Sequence, residues 1–147
     1  MKRIFLSILA VAAVFSAMAG GRVEHFSMKS EVLGVEKPYA VYLPEGYDSS
    51  TESYPVLYLL HGATDTFMAW PVRGDMLRIT DETLAAGDVR KMIVVMPDAS
   101  GKGERNAGPD MGYFNVKGWS YEDFFFSEFI PHIDKTFRTI ASKEGRA

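Results

Sequence analysis

A histidine and a glycine end an apolar run in this sequence, and their types and spacing suggest chemistry. The run reads PVLYLLHGAT over residues 55–64. Gly62 allows a tight turn after a buried strand, which would leave the N–H of Ala63 free to point at a developing negative charge. One preorganised donor of this kind stabilises a transition state by about 2.7–4 kcal/mol. His61, Gly62 and Ala63 are therefore a candidate oxyanion-binding loop. The alternative is a glycine that only ends a strand beside a locally hydrogen-bonded histidine.

Ser120 is the serine whose surroundings most resemble those of a nucleophile. It stands in GWSYE, residues 118–122, which resembles the Gly-x-Ser-x-Gly turn that presents a serine between a strand and a helix. The segment ends in glutamate instead of glycine, and no strand pattern precedes it. Helix capping explains it better, because Ser120 with Asp123 three residues later is a variant of the capping box. We therefore predict that Ser120 begins a helix and is not catalytic.

The histidines do not stand in a pattern that favours a base or a metal site; they are His25, His61 and His132. A catalytic base needs a serine and a carboxylate near it in space, and no spacing here suggests such a group. His61 with Asp65, and His132 with Asp134, each offer only two metal ligands. Asp98 follows an apolar strand, and we predict that it structures a loop. No metal ion and no organic cofactor is predicted.

Composition indicates a single globular domain. The chain has 147 residues, of which 47% are hydrophobic and 24% charged, and its formal net charge is −3. This charge balance gives no basic surface for nucleic acid or anionic lipid. The sequence contains no cysteine, which excludes disulfides, a thiolate nucleophile and a cysteine-ligated zinc ion.

The N-terminus has the pattern of an export signal. Two positive residues precede an apolar run over residues 4–15, and the small-x-small sequence AMA ends at Ala19. A membrane anchor is the alternative, but twelve helical residues rise only about 18 Å, short of the ~30 Å hydrocarbon core. We expect residues 1–19 to be a cleaved signal peptide and residues 20–147 to form an exported domain without a stable membrane anchor.

The elements that must position the candidate loop have the pattern of an α/β fold. Alternating residues over 26–32 and 39–43, with Gly34 between them, predict an antiparallel hairpin. The runs VLYLL and MIVVM are apolar on both faces, which is typical of parallel strands covered by helices on both sides. A helix over residues 75–86 separates them, with Gly87 as its C-terminal stop. Its buried side is predicted to hold Met76, Ile79 and Leu84.

A second helix is predicted to begin at Ser120, after a long turn-rich loop of the kind that is often functional. Its apolar residues recur at helical spacing and comprise Phe126, Phe129, Ile130, Ile133 and Phe137. Pro131 should kink this helix, because a proline removes one backbone donor from the hydrogen-bond ladder.

Three segments, taken together, resemble one esterase family of the α/β-hydrolases. They are YAVYLPEGYDSSTESYPVLYLLHGATDTFMAW, MIVVMPDAS and YEDFFFSEFIPHIDKTFRT, and they occur in the family's order within residues 23–147. The family includes feruloyl and acetyl-xylan esterases, enterochelin esterases, S-formylglutathione hydrolases and mycolyltransferases. The resemblance implies the N-terminal half of an α/β-hydrolase fold, truncated before the strand that carries the nucleophile.

The resemblance also implies roles for individual residues. Ala63 matches the residue whose backbone amide helps to bind the oxyanion, and His61 and Gly62 set the geometry of that loop. Trp70 falls at an aromatic position in the following loop, where it either contacts substrate or only packs. The family's serine nucleophile stands in a Gly-x-Ser-x-Gly turn, with the acid and the base histidine later in the chain. All three would lie beyond Ala147.

The resemblance implies a serine carboxylic-ester hydrolase that works through an acyl-enzyme and needs no cofactor. With the export signal, it favours small-molecule or polysaccharide esters, of the feruloyl or acetyl-xylan type found in plant cell walls. The alternative is a non-catalytic truncated product or a binding module. Without a nucleophile strand, one edge of VLYLL would be unpaired, so residues 20–147 alone are expected to be inactive and poorly soluble. The oligomeric state stays open.

Overall fold

The structure is a computed structural model that describes residues 20–87, 89–101 and 112–147, so the predicted signal peptide lies outside the described residues. The strands are β1 (Arg22–Lys29), β2 (Glu36–Leu43), β3 (Val56–Tyr58), β4 (Ile93–Pro97), β5 (Asn115–Val116) and β6 (Trp119–Ser120). The α-helices are α1 (Ala69–Arg73), α2 (Met76–Ala86), α3 (Tyr121–Phe124) and α4 (Ile130–Thr136). A π-helical turn (Phe125–Phe129) joins α3 to α4, and a 3-10 turn follows at Lys143–Gly145. Within the described ranges, no helix is long and apolar enough to cross a lipid bilayer.

Four strands form one mixed sheet in the order β1-β2-β4-β3. β1 and β2 make the predicted antiparallel hairpin, and Gly34 in its turn has φ +67°, a conformation that favours glycine. β2 pairs antiparallel with β4, and β4 pairs in parallel with β3, from Val56 opposite Ile93 to Tyr58 opposite Val95. The prediction of an α/β fold with two parallel central strands is confirmed, and the two strands are neighbours in the sheet.

Both faces of the sheet carry a hydrophobic cluster, as the doubly apolar strands predicted. Side chains alternate along a strand, so neighbouring residues of β2 and β4 point to opposite sides. One side packs on the long helix that begins with α3, in a cluster that includes Tyr39, Val41, Val95, Phe129 and Ile133. The other side packs on α2, in a cluster that includes Ala40, Tyr42, Val94, Met96 and Met76.

α2 agrees with the predicted helix in its bounds but not in all its buried positions. It ends at Gly87, which has φ +78° and donates its N–H to Leu84 O at 3.1 Å. Met76 is buried, Thr80, Asp81 and Leu84 are half-buried and the other residues of α2 are exposed, so the buried stripe is narrow. Ile79 lies outside that stripe and is 48% exposed. The prediction that Ile79 is buried was therefore wrong.

The long helix does not begin with the predicted capping box. Ser120 makes no side-chain cap hydrogen bond. Asp123 N–H instead donates to Asn115 Oδ1 at 3.2 Å, and Asn115 Nδ2 donates to the Asp123 carboxylate at 2.9 Å. Asn115 belongs to the small β5–β6 hairpin, eight residues earlier in the chain. A contact from that hairpin therefore replaces the local cap that the sequence suggested.

The same helix changes its hydrogen-bond register just before Pro131. The π-helical turn precedes α4, and Pro131 lies in the first turn of α4. Proline lacks the N–H that the α-helical ladder would use there, so the predicted disturbance takes the form of a widened turn. The widened turn moves Phe126 off the buried face, where it is 63% exposed instead of buried as predicted. The predicted burial holds for Phe129, Ile133 and Phe137.

The edge of β3 that faces away from β4 is partly paired, which corrects the expectation of an unpaired edge. Ala147 donates its N–H to Val56 O at 2.9 Å and accepts the N–H of Tyr58 at 2.8 Å. Tyr54, just before the strand, forms a parallel bridge with Thr139. Backbone groups of Tyr54, Val56 and Tyr58 on this edge are therefore bonded to the chain's own residues 138–147, on the side where the next strand was expected.

Gly145 packs so closely on Ile140 that a side chain would not fit. A Cβ on Gly145 would overlap the Ile140 carbonyl oxygen and lie 2.8 Å from the Ile140 Cβ. We expect Gly145→Ala to lower the free energy of unfolding by about 1–3 kcal/mol, the usual effect of overpacking, as measured by urea denaturation. Gly62→Ala is the matched control, because no described atom lies within 4 Å of its Cβ position. Equal stability of the two variants would contradict the prediction.

Candidate active site

His61 lies where the chain leaves the sheet, just after β3. Leu59 N–H still bonds Val95 O at 2.8 Å, so the parallel ladder continues one residue beyond Tyr58. The imidazole of His61 then crosses to the end of β4, where Nε2 accepts the N–H of Ala99 at 2.9 Å. His61 thereby joins the carboxyl ends of two parallel strands, the edge at which open α/β sheets bind their ligands.

The hydrogen bonds of the His61 ring determine its tautomer. A backbone N–H can only donate, so Nε2 must be the unprotonated nitrogen that accepts from Ala99. Nδ1 then carries the proton and donates it to Gly62 O at 2.8 Å. The neutral ring satisfies both neighbours at once, whereas a proton on Nε2 would face the N–H of Ala99.

The carbonyl of Gly62 controls the direction of the Ala63 N–H, because both belong to one planar trans peptide group and point in opposite directions. Gly62 O accepts Nδ1–H of His61 at 2.8 Å and the N–H of Asp65 at 3.3 Å. Ala63 is exposed, and its N–H has no acceptor among the described residues. An amide donor held in place and left available in this way can stabilise an oxyanion.

The chain turns tightly just after Gly62, as the sequence suggested, because Gly62 O accepts the N–H of Asp65 at 3.3 Å across residues 63 and 64. The non-glycine residue with positive φ in this loop is Thr64, at +60°, and Gly62 is not in the left-handed region. A Cβ on Gly62 would meet no described atom within 4 Å. The missing side chain therefore keeps space open beside the Ala63 N–H, where a carbonyl oxygen would have to approach.

A cleft of about 410 Å³ opens beside this loop, a volume within the usual range for small-molecule sites. It is lined by His61, Gly62, Ala63, Ala99, Gly112, Tyr113 and Phe114. The Phe114 side chain is 72% exposed. The three residues of the predicted oxyanion loop therefore share one opening with an exposed aromatic ring.

Trp70, in α1, is tied to the same strand end. Its indole N–H donates to Leu60 O at 2.9 Å, so it holds the residue that precedes His61. Gly74 packs against its ring, and a Cβ there would lie 2.7 Å from Trp70 Cε3. The side chain remains 36% exposed. These contacts give Trp70 a packing role, and a contact with substrate stays a prediction.

Tyr113, which no pattern in the sequence marked as a site residue, also holds His61. Its hydroxyl accepts the N–H of His61 at 2.7 Å and donates to the carbonyl of His61 at 3.1 Å. The two rings lie 5.5 Å apart. Burial raises the pKa of the Tyr113 hydroxyl above its ordinary value, so it stays protonated and able to donate. The only signal in the sequence was an aromatic residue near the end of a long turn-rich loop.

A buried ion pair fixes the end of β4. Lys37 Nζ lies 3.0 Å from Asp98 Oδ1, and neither side chain is more than 1% exposed. Burial lowers the pKa of Lys37, and the nearby carboxylate opposes that shift. Asp98 also accepts the N–H of Phe67 at 3.2 Å and the N–H of Ser100 at 2.9 Å, which joins the loops that follow β3 and β4. These contacts agree with the predicted loop-structuring role of Asp98.

The other two histidines have partners of their own. His132, in α4, bonds the Tyr39 hydroxyl through Nε2 at 2.8 Å, and burial together with Lys135 lowers the pKa of His132. His25 is exposed on β1, with its ring edge-on to Phe67. In the part of the chain that the structure describes, no histidine hydrogen-bonds a serine, and no group of acidic and histidine side chains could hold a metal ion.

Comparisons by sequence and by structure both match the chain to esterases. The chain is 37% identical over 131 residues to an endo-1,4-beta-xylanase/feruloyl esterase of Xylanibacter ruminicola, covering 86% of this chain and 18% of that protein. A solved ferulic acid esterase matches at 37% identity with a TM-score of 0.80, over 87% of this chain and 49% of the other. The ferulic acid esterase of Anaeromyces mucronatus, solved in complex with ferulic acid, matches at 25% identity and a TM-score of 0.69, over 87% of this chain and 47% of the other.

The chain thus spans about a fifth of this curated relative and about half of each of these solved esterases. The family described as "Putative esterase" matches residues 30–147, which include every strand of the sheet except β1 and the whole of the His61 loop. The chain therefore belongs to this esterase family of the α/β-hydrolases.

Proposed function

We propose that this chain provides the oxyanion-binding half of an exported serine carboxylic-ester hydrolase. The observation that carries the proposal is the Ala63 N–H, which is exposed, oriented by its own peptide carbonyl and without an acceptor among the described residues. The serine nucleophile, the acid and the base histidine would come from polypeptide that follows Ala147. The N-terminal pattern over residues 1–19 supports export.

The proposed reaction is acyl transfer through an acyl-enzyme. A serine hydroxyl attacks the ester carbonyl carbon and gives its proton to the base histidine, and the carbonyl oxygen becomes an oxyanion. The N–H of Ala63 donates to that oxygen, while the neutral His61 ring holds the Gly62 carbonyl and takes no proton. Collapse of the tetrahedral intermediate releases the alcohol, and water then hydrolyses the acyl-enzyme. This mechanism uses no metal ion and no organic cofactor.

The proposed substrates are feruloyl or acetyl esters of plant cell-wall polysaccharide. The names of the relatives support this class, because one is a xylanase/feruloyl esterase and another was solved with ferulic acid. The cleft supports it as well, since an exposed aromatic ring, Phe114, lies beside the oxyanion loop and offers an apolar face to a planar acyl group.

The direct test removes the backbone N–H of residue 63. Among the standard amino acids, only proline lacks this group. We define the extended polypeptide as residues 20–147 together with the sequence encoded after Ala147. It should hydrolyse methyl ferulate and feruloylated arabinoxylan, and Ala63→Pro should lower kcat by about 10²–10³, the usual cost of losing one oxyanion donor. Ala63→Ser keeps the N–H and serves as the matched control. Full activity of Ala63→Pro, or no ester cleaved by the unsubstituted protein, would refute the proposal.

A non-catalytic role is the second candidate for residues 20–147 by themselves. It is favoured by the partners of the histidines, because His61 and His132 are bonded to Ala99 and Tyr39 instead of to a serine. On this alternative, the chain alone folds and acts as a binding module that hydrolyses no ester. Turnover of any ester by residues 20–147 alone would exclude it.

A further inference from the structure

We propose that Tyr113 is a positioning residue for the oxyanion loop. The proposal rests on the function proposed above and adds a residue outside the His-Gly-Ala segment. The Tyr113 hydroxyl would hold the His61–Gly62 peptide group in the orientation that leaves the Ala63 N–H pointing into the cleft. It touches neither substrate nor the reacting atoms in this role, and it acts through the backbone of His61.

Tyr113 and His61 are joined by hydrogen bonds in both directions. His61 lies past the end of the β3–β4 ladder, so β4 does not pair with its backbone. Its N–H donates to the Tyr113 oxygen at 2.7 Å, and the Tyr113 hydroxyl donates to its carbonyl at 3.1 Å. A hydroxyl can accept and donate at once, so this single group does what a neighbouring strand does inside a sheet.

The Tyr113 ring is itself packed between two other rings. Its ring lies edge-on to the ring of Tyr121 at 5.5 Å, and Tyr121 is fully buried. The opposite neighbour is the His61 ring, also at 5.5 Å. A hydroxyl on an anchored ring can restrain a backbone segment, whereas a mobile side chain would have to lose its own rotamer freedom first.

Gly62 lies between two peptide groups, and each of them is held by a side chain. Tyr113 holds the His61 carbonyl and so the His61–Gly62 plane, while His61 Nδ1 holds the Gly62 carbonyl and so the Gly62–Ala63 plane. Glycine is the residue least restricted in φ and ψ, and no described atom packs where its Cβ would be. The hydrogen bonds at the two planes must therefore fix the conformation that sterics leave open.

Tyr113→Phe tests the proposal, because it keeps the ring and removes only the hydroxyl. In the extended polypeptide, the amide proton of His61 loses its acceptor, so its hydrogen exchange measured by NMR should become about tenfold faster. In the extended polypeptide, kcat should fall by about 10–100-fold with KM within twofold, because the loop contributes in the transition state.

Tyr42→Phe is the matched control. Its hydroxyl donates to Asp81 Oδ1 at 2.6 Å, and its side chain packs in the cluster on the α2 side of the sheet. This variant also loses one hydroxyl hydrogen bond but should change neither His61 exchange nor kcat by more than about twofold. Unchanged His61 exchange in Tyr113→Phe, or an equal change in Tyr42→Phe, would overturn the proposal.

The two proposals can fail separately. An extended polypeptide that cleaves no ester refutes the esterase function, while the exchange measurement still decides whether Tyr113 holds His61. An active extended polypeptide whose kcat is the same with and without the Tyr113 hydroxyl refutes the positioning role and leaves the esterase function in place.

Discussion

Replacing Asp98 with alanine should lower the free energy of unfolding by about 3–5 kcal/mol, the usual effect of leaving one member of a buried ion pair without its partner. Lys37 is no more than 1% exposed, and burial already lowers its pKa, so without Asp98 its amino group would lose the carboxylate that offsets the cost of its burial. The N–H groups of Phe67 and Ser100 would lose their acceptor at the same time. Urea denaturation followed by circular dichroism measures the change.

Two further variants make that experiment specific. Asp98→Leu combined with Lys37→Met removes both charges, so it should be more stable than Asp98→Ala, because an apolar pair does not leave an isolated buried charge. It should not reach the stability of the unsubstituted protein, since Phe67 N–H still lacks an acceptor. Glu31→Ala breaks the exposed Lys29–Glu31 pair and should have no measurable effect. A change in Asp98→Ala as small as in Glu31→Ala would contradict the prediction.

His61→Ala should reduce kcat of the extended polypeptide by about 10²–10³, as much as the loss of an oxyanion donor itself. Without the imidazole, the Gly62 carbonyl loses the Nδ1–H donor that orients the Gly62–Ala63 peptide group. The buried N–H of Ala99 also loses its acceptor, which should lower the free energy of unfolding by about 1–3 kcal/mol. Steady-state kinetics and urea denaturation measure the two effects.

His25→Ala is the control for His61→Ala, because it removes an exposed imidazole from β1. It should leave both kcat and stability close to those of the unsubstituted protein. If His61→Ala lowers the free energy of unfolding but leaves kcat unchanged, the positioning role of the His61 ring is wrong. The ring would then only contribute to packing.

The parts of the fold that the sequence predicted are those whose signal lies within one element. The hairpin turn is marked by Gly34, the end of α2 by Gly87, and the two parallel strands by runs that are apolar on both faces. Each signal follows from the geometry of a single turn, helix end or strand. No knowledge of the neighbouring elements was needed to interpret it.

The errors arose where a distant element decided the outcome. The start of the long helix is held by Asn115 of the β5–β6 hairpin. The capping box predicted at Ser120 is therefore not formed. Phe126 has the right helical spacing for burial, but the π-helical turn rotates it outward. Ile79 is beside the buried stripe of α2, whose width depends on how the helix meets the sheet.

The residues of the candidate site also fall into two groups, those that the sequence identified and those that only the structure revealed. His61, Gly62 and Ala63 are adjacent in the chain, so a strand followed by His-Gly was enough to identify them as a loop. Tyr113 contacts His61 from 52 residues away, and Lys37 contacts Asp98 from 61 residues away. A lysine inside an apolar strand and a tyrosine in a loop carry no sign of these partners until the fold brings them together.

The pairing of β3 with residues near Ala147 has a consequence for how the protein reaches its native state. Val56 and Arg146 form a parallel bridge although about ninety residues separate them. Contacts between residues so far apart in the chain form slowly, because a large loop must close before they contribute. During synthesis, β3 therefore emerges from the ribosome well before residues 146 and 147, which pair with its second edge, have been made. In the nascent chain, the edge of β3 that bonds Ala147 would stay unpaired until residues 146 and 147 have emerged from the ribosome.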